Sequence, residues 1–345
     1  MNIIVLCGGM SAERDVSIAS GSMAAAALRR LGHRAVLVDL FFGYTGEYGD
    51  PKEIFEKEAP EISGKIGADA PDLESLLLSR GGESRCRIGK NIPEICAAAD
   101  IVFLALHGSD GEDGKIQALF ELYGIKYTGS DSAASAVSLD KDIAKQLLRA
   151  GGVAVPDGIV VKRGDAEYGN VGFPCVVKPK SGGSSVGTSV VKTEKEYIPA
   201  LELAFRYEEE VIVEQYIKGR ECDVGVLDGK ALPVVEICPK SGFFDYKNKY
   251  MEGMTDEYCP ADLPEETASE LKRLALEVFR ILRLKVYARM DFIVDETGKP
   301  WCLEANTLPG LTPSSLMPKE AAAAGMGYDE LCGEIVRRSL EKYRQ

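Results

Sequence analysis

The chain has 345 residues, 45% hydrophobic and 28% charged, with a net charge of -13 at neutral pH. That length exceeds one compact core and predicts two or three domains with clefts between them. The acidic balance and the absence of any lysine or arginine run exclude a general nucleic-acid surface, but leave room for a small anionic ligand in a local basic pocket.

The stretch "NIIVLCGG" reads as a buried strand ending in a glycine turn. "DVSIASGSMAAAALRRLG" reads as a helix stopped by Gly32, and "RAVLVDL" as the next strand. This β-α-β start predicts a parallel sheet with crossover helices. The first apolar run covers only residues 3–6, too short for a signal peptide or a membrane span, so a cytoplasmic protein without membrane contact is expected. The nine cysteines are scattered, odd in number and without a C-x-x-C pair, which predicts free thiols.

Residues 42–95 read as a loop-rich excursion with one amphipathic patch, "PDLESLLLSR". "DIVFLALHG" returns to the sheet, and the glycine loop "LHGSDGEDG" lies where an open α/β sheet places a ligand. A helix over 115–123 follows, then "GSDSAAS" as a domain boundary. In the next helix, "SLDKDIAKQLLRAGG", the apolar Leu139, Ile143, Leu147 and Leu148 fall on one helical face. From Pro174 the pattern runs strand, Gly-Ser loop, strand, helix, strand. "DVGVLDGKALPVVEI" is a hairpin turning on Asp228-Gly229, and a helix opens at Pro264 and runs to about Leu284.

Two features carry chemistry. If strands 286–294 and 301–306 form a hairpin turning near Thr297-Gly298, antiparallel partners have numbers summing to about 595. Asp291 then faces Glu304 and Arg289 faces Asn306, all four on one side. Two carboxylates and an amide oxygen make a hard-oxygen site suited to magnesium. A plain ladder of cross-strand polar pairs is the other reading.

The second is "KPKSGGSSVGTSVV", which lacks the G-K-[ST] of a Walker A loop and leads into a strand. It is either a mobile hairpin tip or a cover that offers amides and hydroxyls to phosphates, with Lys178 adding charge. Glu13 reads equally as an acid capping a helix N-terminus, and His107 as a satisfied polar residue under a glycine turn.

In order along the chain, "GGMSAERDVSIASG", "LHGSDGEDG", "YTGSDSAASAVSLDK", "VVKPKSGGSSVG", "SGFFDYKNKY", "ARMDF" and "LEANTLPGLT" resemble the D-alanine-D-alanine ligases of the ATP-grasp superfamily. The resemblance spans nearly the whole chain except about 42–95. It implies an α/β fold (α+β in part) of three-domain ATP-grasp architecture. Residues 1–132 would be an N-terminal Rossmann-like domain, 133–215 a small central ATP-grasp domain, and 216–345 a C-terminal ATP-grasp domain with the metal and substrate residues.

The implied activity is ATP-dependent joining of two D-alanines through an acyl phosphate, for peptidoglycan precursor synthesis. Glu13 would bind the first D-alanine's ammonium, with His107 close by. Lys141 and Lys178 would contact the α and β phosphates. Ser184, Ser185 and Val186 would close over the γ-phosphate and link to Glu13 and Tyr250. Glu214, Gln215, Tyr216 and Ile217 would hold adenine, and Glu221 the ribose. Asp291, Glu304 and Asn306 would bind two magnesium ions, for which manganese can substitute. Arg289 and the Gly310 amide would stabilise the oxyanion, and Lys249 would meet the transferred phosphoryl group. Ser315 and Leu316 would meet the second amino acid.

Phe244 stands where many members have tyrosine, Gln215 where lysine is frequent, and Ser314 where some have histidine. The resemblance also implies a homodimer with no nucleic-acid partner. The alternatives are D-serine or D-lactate as second substrate, another amino acid in the same chemistry, or a nucleotide-binding module without catalysis.

Overall fold

The computed structural model describes residues 1–57, 62, 67, 71–80, 86–240, 248–249, 251 and 253–344. Three parallel strands, β1 (Asn2–Cys7), β2 (Arg34–Asp39) and β3 (Ile101–Leu104), lie in the order β2-β1-β3. Helix Arg14–Arg30 crosses from β1 to β2. The strands are apolar along nearly their whole length because both faces of this sheet are covered, so alternation is lost.

The excursion expected between β2 and β3 is anchored. It carries a 3-10 turn at Pro51–Phe55 and helices Leu73–Ser79 and Ile92–Ala97. Ile54, Phe55, Ile92, Ile95 and Cys96 are buried in the same core as β1. The last helix of the chain, Tyr328–Glu341, returns to this core through Leu331, Cys332, Ile335 and Val336.

The second sheet holds β4 (Gly158–Lys162), β5 (Cys175–Pro179), β6 (Ser189–Val191) and β7 (Glu210–Gln215), antiparallel in the order β4-β7-β5-β6. Helix Glu194–Ala204 starts with a capping box formed by Thr193 and Glu196. It lays Tyr197, Ala200, Leu201 and Ala204 over the valines of this sheet.

The third sheet runs β11-β10-β8-β12-β13, with β9 paired to β8. Its strands are β8 (Gly219–Leu227), β9 (Lys230–Ala231), β10 (Val235–Pro239), β11 (Thr255–Tyr258), β12 (Tyr287–Asp295) and β13 (Pro300–Asn306). Asp228 and Gly229 both have positive φ, as the expected two-residue turn between β8 and β9 requires. Helix Glu265–Ile281 packs beneath with Leu271, Leu274, Ala275 and Val278. None of the nine cysteines forms a disulfide.

The apolar face expected of the helix at 141–150 is corrected. Leu148 is buried and Leu139 partly so, but Ile143 and Leu147 are 45% and 42% exposed. The buried stripe is Lys141, Ala144, Lys145 and Leu148, because this helix turns two lysines toward carboxylates of the second and third sheets.

Gly21 marks where helix Arg14–Arg30 meets the first sheet: a Cβ there would lie 2.7 Å from Cys7 Cβ and 3.0 Å from Leu37 Cδ1. Gly21→Val should lower the urea midpoint, with a loss on the order of 1–3 kcal/mol from overpacking. An unchanged midpoint would mean that the helix does not sit this close to β1.

Candidate active site

The β12-β13 hairpin sets one side of the site. Arg289 pairs with Asn306 and Asp291 with Glu304, as the turn at Gly298 dictates, and a bulge follows Asp291. Arg289 forks onto Asp291 with Nε to Oδ1 and Nη2 to Oδ2, both 2.8 Å, while Asn306 Nδ2 donates to Asp291 Oδ2 at 3.1 Å. The third strand, β8, puts Asp223 across from Asp291 and Gly225 across from Arg289.

Asp223 Oδ2 lies 2.9 Å from Arg289 Nε. Glu320, fully buried, fills the space beside Gly225 and accepts its N–H at 3.0 Å. A Cβ on residue 225 would come within 2.3 Å of Glu320 Oε2, so the glycine leaves room there for the carboxyl group. One arginine thus stands among three carboxyl groups. Burial and the neighbouring Asp291 raise Asp223 well above the carboxylate range, and burial pushes Glu320 up to about 8. Burial opposes the charge on Arg289, but Asp291 and Asp223 more than offset it.

Lysines set the opposite side. Lys141 Nζ lies 3.1 Å from Glu304 Oε2 and donates to the Gly182 carbonyl at 2.6 Å. One turn on, Lys145 pairs with Glu214, which is also held by Lys178 at 2.9 Å. Burial disfavours the Glu214 carboxylate, yet Lys145 and Lys178 bring it down to about 2. Burial likewise opposes the charge on Glu304, while Lys141, Lys178 and Lys249 hold it far below the usual range.

The Gly-Ser loop after β5 bends over the site through Ser184 and Ser185, both at positive φ (49° and 58°). Ser184 Oγ donates to Glu13 Oε1. Glu13 occupies the N-cap position of helix Arg14–Arg30, but its side chain makes no capping bond, so its carboxylate serves the loop. His107 has both ring nitrogens engaged, Nδ1 with the Leu308 carbonyl at 2.8 Å and Nε2 with Ser20 Oγ at 3.0 Å. Burial lowers its pKa and keeps the ring neutral at pH 7. Glu112 pins two loops by accepting from Gly108 N at 3.0 Å, Thr307 N at 3.1 Å and Leu308 N at 3.2 Å.

Two cavities meet here. One encloses about 970 Å³, mouth included, between the second and third sheets. Lys141, Lys178, Ser185, Val186, Gln215, Tyr216, Ile217, Glu221 and Asp291 face it, with Val176, Val190, Ile293 and Leu303 as apolar walls. Glu214 also lines it, its carboxylate turned to the two lysines. Burial pushes Glu221 up to about 7.

The other cavity, about 870 Å³, is bounded by Glu13, His107, Ser184, Arg289, Asn306, Gly310, Ser315 and Leu316. Lys249 and Glu304 line both. Phe244 and Tyr250 lie outside the described residues. Lys145, Glu112, Asp223 and Glu320 escaped the sequence reading. Lys145 alone left a signal, since it follows Lys141 by four residues and shares its helix face.

Among the described residues no group of three or more His, Cys, Asp or Glu side chains could hold a metal ion. Asp291, Glu304 and the amide of Asn306 still fit magnesium, which binds through one or two carboxylates together with phosphates and water.

The family profile described as D-ala D-ala ligase N-terminus matches residues 2–130, and that described as D-ala D-ala ligase C-terminus matches 147–337. A D-alanine--D-alanine ligase of Pediococcus pentosaceus is 42% identical over 347 residues, 99% of each chain. One of Lacticaseibacillus casei is 41% identical over 346 residues, 99% of this chain and 97% of the relative. The crystal structure of the Bacillus anthracis D-alanine--D-alanine ligase complexed with ATP is similar at TM-score 0.75 and 32% identity, covering 100% of this chain and 99% of that one. The VanG D-Ala:D-Ser ligase from Enterococcus faecalis follows at TM-score 0.73 and 28% identity, with 98% of both chains covered.

The buried Glu320 gives a pH prediction. Its carboxyl titrates at about 8 when folded and at about 4.3 unfolded, so between those values the folded chain holds the proton and stability falls as pH rises. Glu320→Gln, which keeps an acceptor for Gly225 N, should gain on the parent progressively from pH 5 to 8, by about 1–3 kcal/mol at the top. Parallel stability profiles for the two chains would refute a neutral Glu320.

Proposed function

The chain belongs to the D-alanine-D-alanine ligase family, and from that premise we propose how its two cavities divide the ATP-driven joining of two D-alanines. The observation that carries the division is that Lys249 and Glu304 line both. A nucleotide in the first cavity and amino acids in the second then meet at these two residues, where a phosphoryl group passes from one to the other.

Adenine stacks between Val176, Val190, Ile293 and Leu303, with Gln215, Tyr216 and Ile217 at its edge and Glu221 on the ribose. Lys141 and Lys178 hold phosphates. Both have carboxylate partners already, so the phosphates share charges that the fold keeps in place. Ser184, Ser185 and Val186 cover the γ-phosphate, and the Ser184 bond to Glu13 ties that cover to the donor amino acid. Glu13 takes the donor's ammonium, with His107 holding the loop above it.

The donor carboxylate oxygen forms a bond to the γ-phosphorus as the bond to ADP breaks, which turns a poor electrophile into an acyl phosphate. Lys249 offsets charge on the moving phosphoryl group. Two magnesium ions, bound by Asp291, Glu304 and Asn306, would neutralise phosphate charge. The acceptor amine then attacks the acyl carbon, and Arg289 and the Gly310 amide face the oxyanion, worth several kcal/mol when fixed in a dry site. Phosphate leaves as the C–N bond is completed. Tyr250 would join the loop cover and Phe244 would lie near the nucleotide.

The reaction serves peptidoglycan precursor synthesis in the cytoplasm. No helix among the described residues is long and apolar enough to cross a membrane. A homodimer is the expected assembly, and the exposed pair Leu122 and Tyr123, at 88% and 60%, offers it an apolar patch. We further propose the division at 132/133 and 215/216, with the helix at 141–150 bridging to the third sheet's core.

The deciding measurement is phosphate release from ATP and magnesium with D-alanine, L-alanine, D-serine or D-lactate, alone and with D-alanine, products being identified by mass. D-alanine-dependent release with D-alanyl-D-alanine as main product is expected. A folded, ATP-binding protein without it would sink the assignment, and a mixed product with D-serine or D-lactate would move it to the sister activities. Arg289→Lys should cut kcat by about 10²–10³ with nucleotide binding retained; equal loss of nucleotide affinity would place Arg289 on the phosphates instead.

A further inference from the structure

The substrate cavity is lined by more carboxylates than cations, and Glu257 is the one of them on β11, the strand that also borders an outer cavity. Glu13, Glu112, Glu257 and Glu304 line it, against Lys249 and Arg289 among the described residues. Lys249 also faces the nucleotide, and Arg289 is forked onto Asp291. An acceptor whose amine points at a carbonyl near Arg289 and Gly310 turns its carboxylate the other way, toward Ser315, Leu316 and Glu257.

Helix Leu316–Ala323 begins there without a side-chain cap. The amides of Leu316 and Met317 have no intrahelical acceptor, and Pro318 has no N–H. Two amides suit a carboxylate, but an uncompensated Glu257 beside them would repel it.

Lys319 removes that repulsion. It lies one turn beyond Leu316, and its Nζ pairs with Glu257 Oε2 across from β11, the two side chains being 37% and 15% exposed. Glu257 faces both the substrate cavity and an outer one lined by Asn248, Asp256, Tyr258 and Ser314; Lys319 faces only the outer one. We propose that the Glu257-Lys319 ion pair positions the acceptor: Lys319 cancels the charge of Glu257 so that the helix start receives the carboxylate of a small amino or hydroxy acid. The inference rests on the ligase reading above.

The pairing also explains why a glutamate is there. An unpaired lysine would hold the dipeptide, whose carboxylate occupies the same end, as firmly as the acceptor. The paired wall is near neutral, and an acceptor without a free carboxylate, such as an amide or ester, gains nothing from it.

The test compares Lys319→Met, the Glu257→Gln/Lys319→Met double variant and the parent. Donor and acceptor KM come from the two phases of D-alanine-dependent phosphate release. Lys319→Met should raise the acceptor KM at least about tenfold, with donor and ATP KM unchanged, and the double variant should return to within about threefold of the parent. Recovery in the double variant distinguishes charge compensation from local damage to the helix. An acceptor KM unmoved by Lys319→Met, or a double variant that stays impaired while its ATP-induced thermal shift matches the parent, would overturn the ion-pair proposal alone. Absence of D-alanine-dependent turnover in the parent would remove the ligase reading and the proposal with it.

Discussion

Compensation of buried charge is the constraint on which this structure turns. Where the second and third sheets meet, Lys141, Lys145, Lys178, Glu214, Glu304, Arg289 and Asp291 leave bulk water together. Each such charge costs several kcal/mol to desolvate, and pairing returns that only when geometry is good. Packing alone would favour apolar residues in these positions. The network therefore reflects a demand for fixed charge, and the sheets are oriented by the need to keep every member partnered.

The same demand accounts for the helix at 141–150. Its apolar Ile143 and Leu147 stay at the surface while Lys141 and Lys145 go inside. Hydrophobic periodicity misjudged the face because it assigns no value to a lysine that finds a buried carboxylate. Glu214 supplies that value on β7, and it lies 69 positions further along the chain. No local pattern reports such a partner.

The hairpin was legible for the opposite reason. One turn at Thr297-Gly298 fixes the β12-β13 register, and alternation then sorts Arg289, Asp291, Glu304 and Asn306 onto one face. Adding β8 to the same sheet required knowing that it lies beside β12, which neither spacing nor composition states. Asp223 and Glu320 were hidden by that step, the first by strand order and the second by a helix that fills the space beside Gly225. The parallel strands of the first sheet were readable as continuous apolar runs, whereas the return of helix Tyr328–Glu341 to that sheet depends on tertiary packing. Glu13 was visible as an acid at a helix start, but its bond to Ser184 followed only from the family resemblance, since no spacing or periodicity brings that loop to it.

Three cations around the cavities are matched by protein carboxylates before any substrate is present. Lys141 leans on Glu304, Lys178 on Glu214 and Arg289 on Asp291. A bare polyphosphate entering this site would meet cations whose charge is already spent and carboxylates that repel it. A phosphate chain accompanied by divalent cations would meet the opposite situation: Asp291 and Glu304 would hold the metal, and Lys141 and Arg289 would be left to face the substrate. In this arrangement the carboxylates would tie nucleotide binding to metal binding, and the positive groups would become available at the place where charge develops. The pairing of Lys319 with Glu257 follows the same logic on β11, where a carboxylate facing the substrate cavity is matched by a cation on its outer side.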